Sequence, residues 1–448
     1  MGDRLDEIMD GTLGHFWPDL AHVNDLDHAS SGYVRLRDDN RFDIETLTTH
    51  EVLSVRVRDR RSDNFTLPDA IFAATHGAGC VFFDINGYSS NSVIGATRAS
   101  IETYKSGAVL AGMNLQDIAS FGLKRIEVSF PEVIFWSGLG GVAEQVERDK
   151  DGRVQSYSAQ LRSANPRIAP KRHGITLSLS SRWSASGPRD GKLISNPLTV
   201  VTNSDRPKDW WDHLRPILAV QDLINMSFQG FVSADVGTAV IDTKSAERPL
   251  RSPDLWISRL MTVPSGGTRP KSMTEFPIFN FSNIGGIRGV DGWIELDRNF
   301  PRATGPLAKI YRFGNLLAIE TRLIEIAVAI EYWVGIHRRR AAWASKSNGH
   351  YTQALAKFVG PAFDEFVGGA KKWSDLFRST YNDLKHNPSF SYASDDIDTL
   401  ARSGEILLQS ALLNRISRNK QMTEVICGSH RTHNIGLAAQ DLVKRGHI

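Results

Sequence analysis

The sequence has only two cysteines in 448 residues, Cys80 and Cys427. That scarcity excludes a disulfide-stapled fold and a cysteine-rich zinc module. A long apolar run is also missing. The longest stretch without Asp, Glu, Lys or Arg is fourteen residues, Ala70 to Phe83, and it holds His76, Gly77 and Gly79. A membrane-spanning helix needs about 20 apolar residues, so no membrane partner is expected. The opening Met1–Glu7 carries Asp3, Asp6 and Glu7 and lacks the apolar core of a secretory leader. Together these absences lead to the expectation of a cytoplasmic protein. There is no Walker-type phosphate loop, no nucleophile elbow and no well-spaced His/Cys ligand set, so no cofactor and no metal is expected. His430 and His433, near Cys427 and Arg431, read as a solvated tail.

What is present is ordinary globular composition, 41% hydrophobic and 23% charged, with enough chain for two or three domains. The net charge of +3 is uninformative, but its distribution is not. Residues 301–448 hold 20 Lys and Arg against 13 Asp and Glu, a net of +7, which leaves 33 against 37 and a net of −4 for residues 1–300. A basic segment joined to an acidic one points to a polyanionic partner for the basic part.

Period-two alternation marks the first two hundred residues as antiparallel β-structure, a sandwich or barrel. Val52–Arg58, Ile126–Phe130 and Ile175–Leu179 each alternate apolar and polar residues. Ser204-Asp205-Arg206-Pro207 reads as a helix start, with a helical segment over about 207–229 carrying Trp211, Leu214, Leu218 and Ile224 on one face. Thr238–Ile241 and Leu255–Val263 read as strands, and Gly285, Gly286, Gly289 and Gly292 as a loop. From Pro306 onward the pattern is helical. Leu316, Ile319, Leu323, Ile326, Ile330, Trp333 and His337 step by three and four, a seam for another helix in the same chain or in a second copy. Further helices are expected around 351–367, 371–386 and 395–418. The fold class is therefore α+β multidomain: an antiparallel β-rich N-terminal region over 1–300 with a mixed middle segment, then an all-α bundle over 301–448.

The segment with most chemistry is Trp373–Asn387. Trp373, Leu376, Phe377, Thr380 and Leu384 form a buried stripe, while Arg378, Asn382 and His386 step by four and share one face within about 80°. A His, an Arg and an amide on one exposed face suit metal-free RNA cleavage. The histidine moves the proton of a 2′-hydroxyl or a leaving 5′-oxygen, and the guanidinium neutralises charge at phosphorus. The same arrangement is also what a plain surface helix carries.

At these residues the sequence resembles the HEPN superfamily of helical bundles, whose ribonucleases carry an Arg, four to six residues, then a His. Tyr381-Asn382-Asp383-Leu384-Lys385-His386 matches at Asn382 and His386, with Tyr381 where the pattern has Arg and Arg378 one turn earlier on the same face. Arg167–His173 and Arg206–His213 satisfy the same spacing outside any helical bundle. The rest of the chain is similar to the ApeA-like family, in which a β-rich N-terminal domain precedes a HEPN domain. The likeness runs through Gly14-His15-Phe16-Trp17-Pro18, Gly32–Leu36, Phe83-Asp84, Val133–Trp136, Trp210–Pro216, Gly285-Gly286-Ile287, Trp293-Ile294 and Glu320–Trp333.

The resemblance implies anti-phage defence by abortive infection. The N-terminal region would sense a phage-derived trigger, and a HEPN endoribonuclease toxin would cut host RNA, tRNA first among the substrates. Arg378, Asn382 and His386 would be catalytic. Arg338, Arg339, Arg340, Lys385 and Tyr381 would bind RNA, and the HEPN domains of two copies would form a homodimer. The alternative is a catalytically inactive HEPN sensor or RNA-binding protein, because Tyr381 replaces the usual Arg. Trp17, Trp136, Trp210, Trp211 and Trp293 read as packing residues, and Trp343 and Tyr351 as candidates for base stacking.

Overall fold

The computed structural model describes residues 3–446 apart from 49–66, 77, 93–99, 163, 188–192, 245–251, 265–266, 271–275, 315–316, 388 and 390. The strand expected at Val52–Arg58 lies outside the described residues, as does Leu316 of the helical seam.

Six strands close into an antiparallel barrel: β1 (Thr12–Trp17), β2 (Ser30–Leu36), β3 (Phe42–Thr48), β4 (Ala70–Thr75), β5 (Ala78–Ser92) and β6 (Ser100–Met113). Their order is β6-β3-β2-β1-β4-β5, and β5 pairs back onto β6. Closure leaves no open edge within the ring. Side-chain alternation divides these strands between two cores. Ile71, Ala73, Cys80, Phe82, Val109 and Ala111 fill the barrel, together with Leu5 and Ile8 of α1 (Asp3–Asp10). The intervening Ala70, Phe72, Val81, Phe83, Ala108 and Leu110 join the larger core outside it.

From β6 the sheet continues through β16 (Asp254–Ile257), β15 (Gly237–Thr243), β7 (Ile118–Phe130), β14 (Leu198–Lys208), β11 (Ile175–Ser181) and β10 (Arg167–Ile168), while β8 (Val142–Arg148) with β9 (Val154–Leu161) and β12 (Ser184–Ser186) with β13 (Leu193–Ser195) form separate two-stranded hairpins. The expected alternation is seen directly: Ile126, Val128 and Phe130 on β7 and Ile175, Leu177 and Leu179 on β11 are all buried. Val200 of β14 faces Val128 on one side and Leu179 on the other. The expected strand over Leu255–Val263 is short. It ends at Ile257 and gives way to a single helical turn, Ser258–Met261.

The helix expected from Pro207 begins later. Ser204 to Lys208 belong to β14, and Pro207 sits where the β14–β7 register slips between Asn203 and Lys208. A proline is tolerated at such an irregularity because no ladder N–H is needed there. Asp209 caps the helix instead, accepting from the Trp211 amide at 2.7 Å, and α2 runs Trp210–Phe228. His213 locks α2 to the sheet. Its Nε2 lies 2.9 Å from the Leu123 carbonyl and its Nδ1 3.1 Å from Thr202 Oγ1, and burial holds its pKa below the ordinary value. That burial removes the Arg206–His213 pair from any surface chemistry.

The helical region begins at residue 287. The glycines expected to form a loop instead open and line α3 (Ile287–Asn299). Gly286 precedes it at φ +66. A Cβ at Gly289 would stand 1.8 Å from the Ile284 carbonyl oxygen, so glycine is required by close backbone approach rather than by flexibility. Pro306 lies inside α4 (Pro301–Phe313). The seam forms α5 (Ile319–His337), whose Leu323, Ile326, Ile330 and Trp333 are buried. α5 packs against α9 (Ser394–Ser417) of the same chain, so the seam is used internally. A buried ion pair joins the two: Arg322 Nη2 donates to Glu405 Oε2 at 2.8 Å, with a second bond from Nε.

The expected helix at 351–367 breaks at Gly360, φ +103, into α6 (Tyr351–Val359) and α7 (Pro361–Val367). α8 covers Ala370–His386. The expected solvated tail is structured: α10 (Gln421–Cys427) and α11 (His433–Arg445) flank a fully buried Thr432. Arg431 donates to the backbone carbonyls of Phe276 at 3.0 Å and Phe228 at 3.4 Å, tying this end to the β-rich part. Burial pushes the Cys427 thiol up to about 12, so it is unreactive near neutral pH. No helix among the described residues is long and apolar enough to cross a membrane.

Candidate functional site

α8 is held at both ends and along one face. Gly368 and Gly369, at φ +70 and +127, turn the chain out of α7, and Asp364 of α7 accepts from the first amide of α8, Ala370, at 2.7 Å. The buried stripe is as expected at Trp373, Phe377 and Thr380, while Leu376 and Leu384 are half-buried. Trp373 donates Nε1–H to Ser403 Oγ on α9 at 2.9 Å and meets Phe363 edge-on at 5.1 Å. Gly404 of α9 admits the Phe377 ring, which would stand 2.7 Å from a Cβ there. At the C-terminal end Tyr392 donates to Asp383 Oδ2 at 3.1 Å, fastening the following loop to the helix.

The opposite face is polar. Arg378, Asn382 and His386 are all exposed. Asn382 and His386 have no side-chain hydrogen-bond partner among the described residues. Arg378 does have one: a guanidinium nitrogen contacts Nε2 of His350, the residue before α6. Beside His350, Tyr351 lies beneath Arg338, whose guanidinium carbon is 3.9 Å from the ring centroid. α8, α6 and the end of α5 thus bring Arg378, His350, Tyr351 and Arg338 into one cationic and aromatic cluster. His386 stands apart. It lies eight positions after Arg378, about 12 Å of helix rise, and Asn382 lies halfway.

The expected RNA contacts divide. Arg339, Arg340 and Lys385 are exposed, whereas Arg338 is half-buried against Tyr351. Tyr381 is 6% exposed, with Lys385 Nζ 5.5 Å above its ring. The i, i+3 and i, i+4 geometry of α8 turns the Tyr381 ring inward beneath Lys385, which leaves little of it to meet RNA. Trp343 is packed between Phe358, at 4.3 Å, and His337, at 5.3 Å. Burial, with Arg415 and Arg340 nearby, lowers the His337 pKa even though its Nδ1 donates to the Trp333 carbonyl at 2.7 Å.

The residue that sequence reasoning missed is His350. Its neighbours Gly349 and Tyr351 mark only the start of a helix, and its link to Arg378 is a tertiary contact across 28 residues. Among the described residues no cluster of three or more His, Cys, Asp or Glu side chains is placed to hold a metal ion.

Comparison with known proteins adds a family. No curated protein and no solved structure matches the chain. The model of the family described as ApeA N-terminal domain 1 matches residues 12–287, covering the barrel, the extended sheet, α2 and the glycines that open α3. That span is more than half of the chain and includes the Trp17, Asp84 and Trp210–Pro216 segments. The chain therefore belongs to the ApeA-like family, whose setting is anti-phage defence.

Proposed function

We propose that the chain is a phage-triggered endoribonuclease acting by abortive infection, with residues 301–448 as a HEPN-like effector and the β-rich part as its regulator. The observation that carries this reading is the α8 face. Arg378, Asn382 and His386 are exposed on it, and it adjoins the Arg338–Tyr351–His350 cluster within the basic third of the chain.

The chemistry follows from those groups. A 2′-oxygen attacks the adjacent phosphorus, the P–O5′ bond breaks, and O5′ takes a proton. His386 removes the 2′-proton or supplies the one that O5′ needs. Arg378 neutralises charge on the crowded phosphorane, and Asn382 orients the phosphate or the imidazole. The products are a 2′,3′-cyclic phosphate and a 5′-hydroxyl. Arg378 and His386 are offset by about 12 Å of helix rise, so a single chain does not place the two side by side. A homodimer in which Arg378 of one copy faces His386 of the other satisfies the mechanism. Arg339, Arg340 and Lys385 then supply backbone contacts along the RNA.

The second reading is a HEPN-like RNA binder without catalysis. The buried Tyr381 at the usual Arg position favours it. Incubating the purified chain with tRNA, with and without EDTA, separates the two. Cleavage that survives the chelator and leaves cyclic phosphate ends supports the ribonuclease. Binding without cleavage under triggering conditions supports the second reading.

A further inference from the structure

A cleft of about 590 Å³ lies where the barrel meets α2 and the start of the helical region. Its size suits a small organic ligand. Its wall is deliberately built. Asp84 of β5 sits at φ +54, an uncommon conformation for a residue with a Cβ. It fits only because position 107 is glycine, where a Cβ would stand 2.4 Å from Asp84 Oδ2. In this position Asp84 accepts both arms of Arg259, at 3.1 Å each, and Arg259 stands 5.6 Å over the Trp211 ring.

Charge bookkeeping in the cleft leaves a remainder. Arg312 donates Nε to Asp222 Oδ1 at 2.8 Å and its other nitrogens to the carbonyls of Arg259 and Leu218. Asp297 accepts from Thr304 at 2.8 Å, and Asp39 faces Lys105 at 3.6 Å. Every carboxylate lining the cleft is therefore engaged. Arg41 and Arg215, both exposed at its mouth, have no carboxylate partner among the described residues. On the floor, Asp222 Oδ2 accepts no hydrogen bond among the described residues. Trp211 and the half-exposed Phe313 supply flat apolar surface.

Two guanidiniums without carboxylate partners, one open acceptor and the rings of Trp211 and Phe313 line the same cleft. We propose that this cleft binds a nucleoside phosphate, with its phosphate on Arg41 and Arg215 and an amino or hydroxyl group of the nucleoside donating to Asp222. Guanidinium forks match phosphate oxygens, and the exposed Phe313 ring offers a planar base a face to lie on. The occupant would touch the barrel, α2 and α4 together. The inference is independent of RNA cleavage, because none of these residues lies on α8.

The test is calorimetric titration of the full chain with ATP, AMP and inorganic phosphate as separate probes. The expected result is binding of ATP and AMP with dissociation constants below about 1 mM, and inorganic phosphate at least about tenfold weaker. Arg41→Ala and Arg215→Ala, both surface changes, should each weaken ATP by about tenfold or more. Asp222→Asn should weaken AMP while leaving inorganic phosphate unchanged, and circular dichroism confirms that each variant is folded. The proposal is overturned if neither nucleotide binds below 1 mM, if inorganic phosphate binds as tightly as AMP, or if the two arginine variants bind ATP like the unaltered chain.

Discussion

Arg378 and His350 touch across 28 residues of sequence, a guanidinium nitrogen of one against Nε2 of the other. A guanidinium only donates, so Nε2 accepts and the ring proton belongs on Nδ1. His350 thereby fixes the direction of an otherwise free surface arginine. If Arg378 serves a phosphate, His350 is its positioning residue.

His350→Ala should then lower tRNA cleavage by about tenfold, less than the roughly hundredfold loss expected for Arg378→Ala. His350→Gln keeps an acceptor and should recover most of the activity. Cleavage rates of the three purified variants decide this. Equal loss in His350→Ala and His350→Gln would count against positioning.

The close contact at Gly404 makes a stability prediction. A Cβ there would stand 2.7 Å from Phe377 and 3.0 Å from Ile326, both almost fully buried. Alanine favours helix by about 1 kcal/mol over glycine, but overpacking costs about 1–3 kcal/mol. Neither the ring nor the branched side chain has room to retreat, so the clash wins. Gly404→Ala should destabilise the chain by up to about 2 kcal/mol net, read from its urea midpoint.

The Arg322–Glu405 pair makes another. Burial raises the Glu405 pKa, Arg322 opposes that shift, and both side chains are mostly withdrawn from water. Glu405→Leu leaves the largely buried Arg322 charge with only Asp398, 3.8 Å away, as a carboxylate partner, which should cost up to about 3–5 kcal/mol. The double change Arg322→Met with Glu405→Leu should recover most of that loss. Denaturant unfolding of the single and double variants tests the difference.

His213 predicts an acid limb of stability. Its pKa is depressed by burial, so the unfolded chain binds the proton more readily than the folded one. The stability it contributes is complete above the unfolded value near 6.5 and is lost as pH falls through the lower folded value. One proton changes the slope by at most about 1.4 kcal/mol per pH unit. His213→Gln should flatten the fall in Tm between pH 7 and 5, and an unchanged slope would contradict this role.

Local patterns carried much of the fold. The alternation at Ile126–Phe130 and Ile175–Leu179 and the seam from Ile319 to Trp333 record which face each element buries, so strands and helix were legible. Signals whose meaning depends on distant contacts misled. Gly289 looks like a loop residue, yet its missing Cβ makes room for the Ile284 carbonyl within one compact helix start. Pro207 resembles the first residue of a helix, but a slipped register lets it end a strand. Arg431 looks solvated and instead grips Phe276 and Phe228. At the candidate site, helical spacing correctly put Arg378, Asn382 and His386 on one exposed face. It could not reveal that Tyr381 turns inward or that Arg378 meets His350.

Whether His386 carries out metal-free RNA cleavage is decided by incubating tRNA in EDTA with the purified full chain, unaltered or as His386→Ala. The unaltered protein should leave 2′,3′-cyclic phosphate ends under triggering conditions, and the folded variant should cleave at least about a hundredfold slower, on the order expected for loss of a general acid or base. Cleavage by His386→Ala at the unaltered rate, or cleavage that the chelator abolishes, would contradict it.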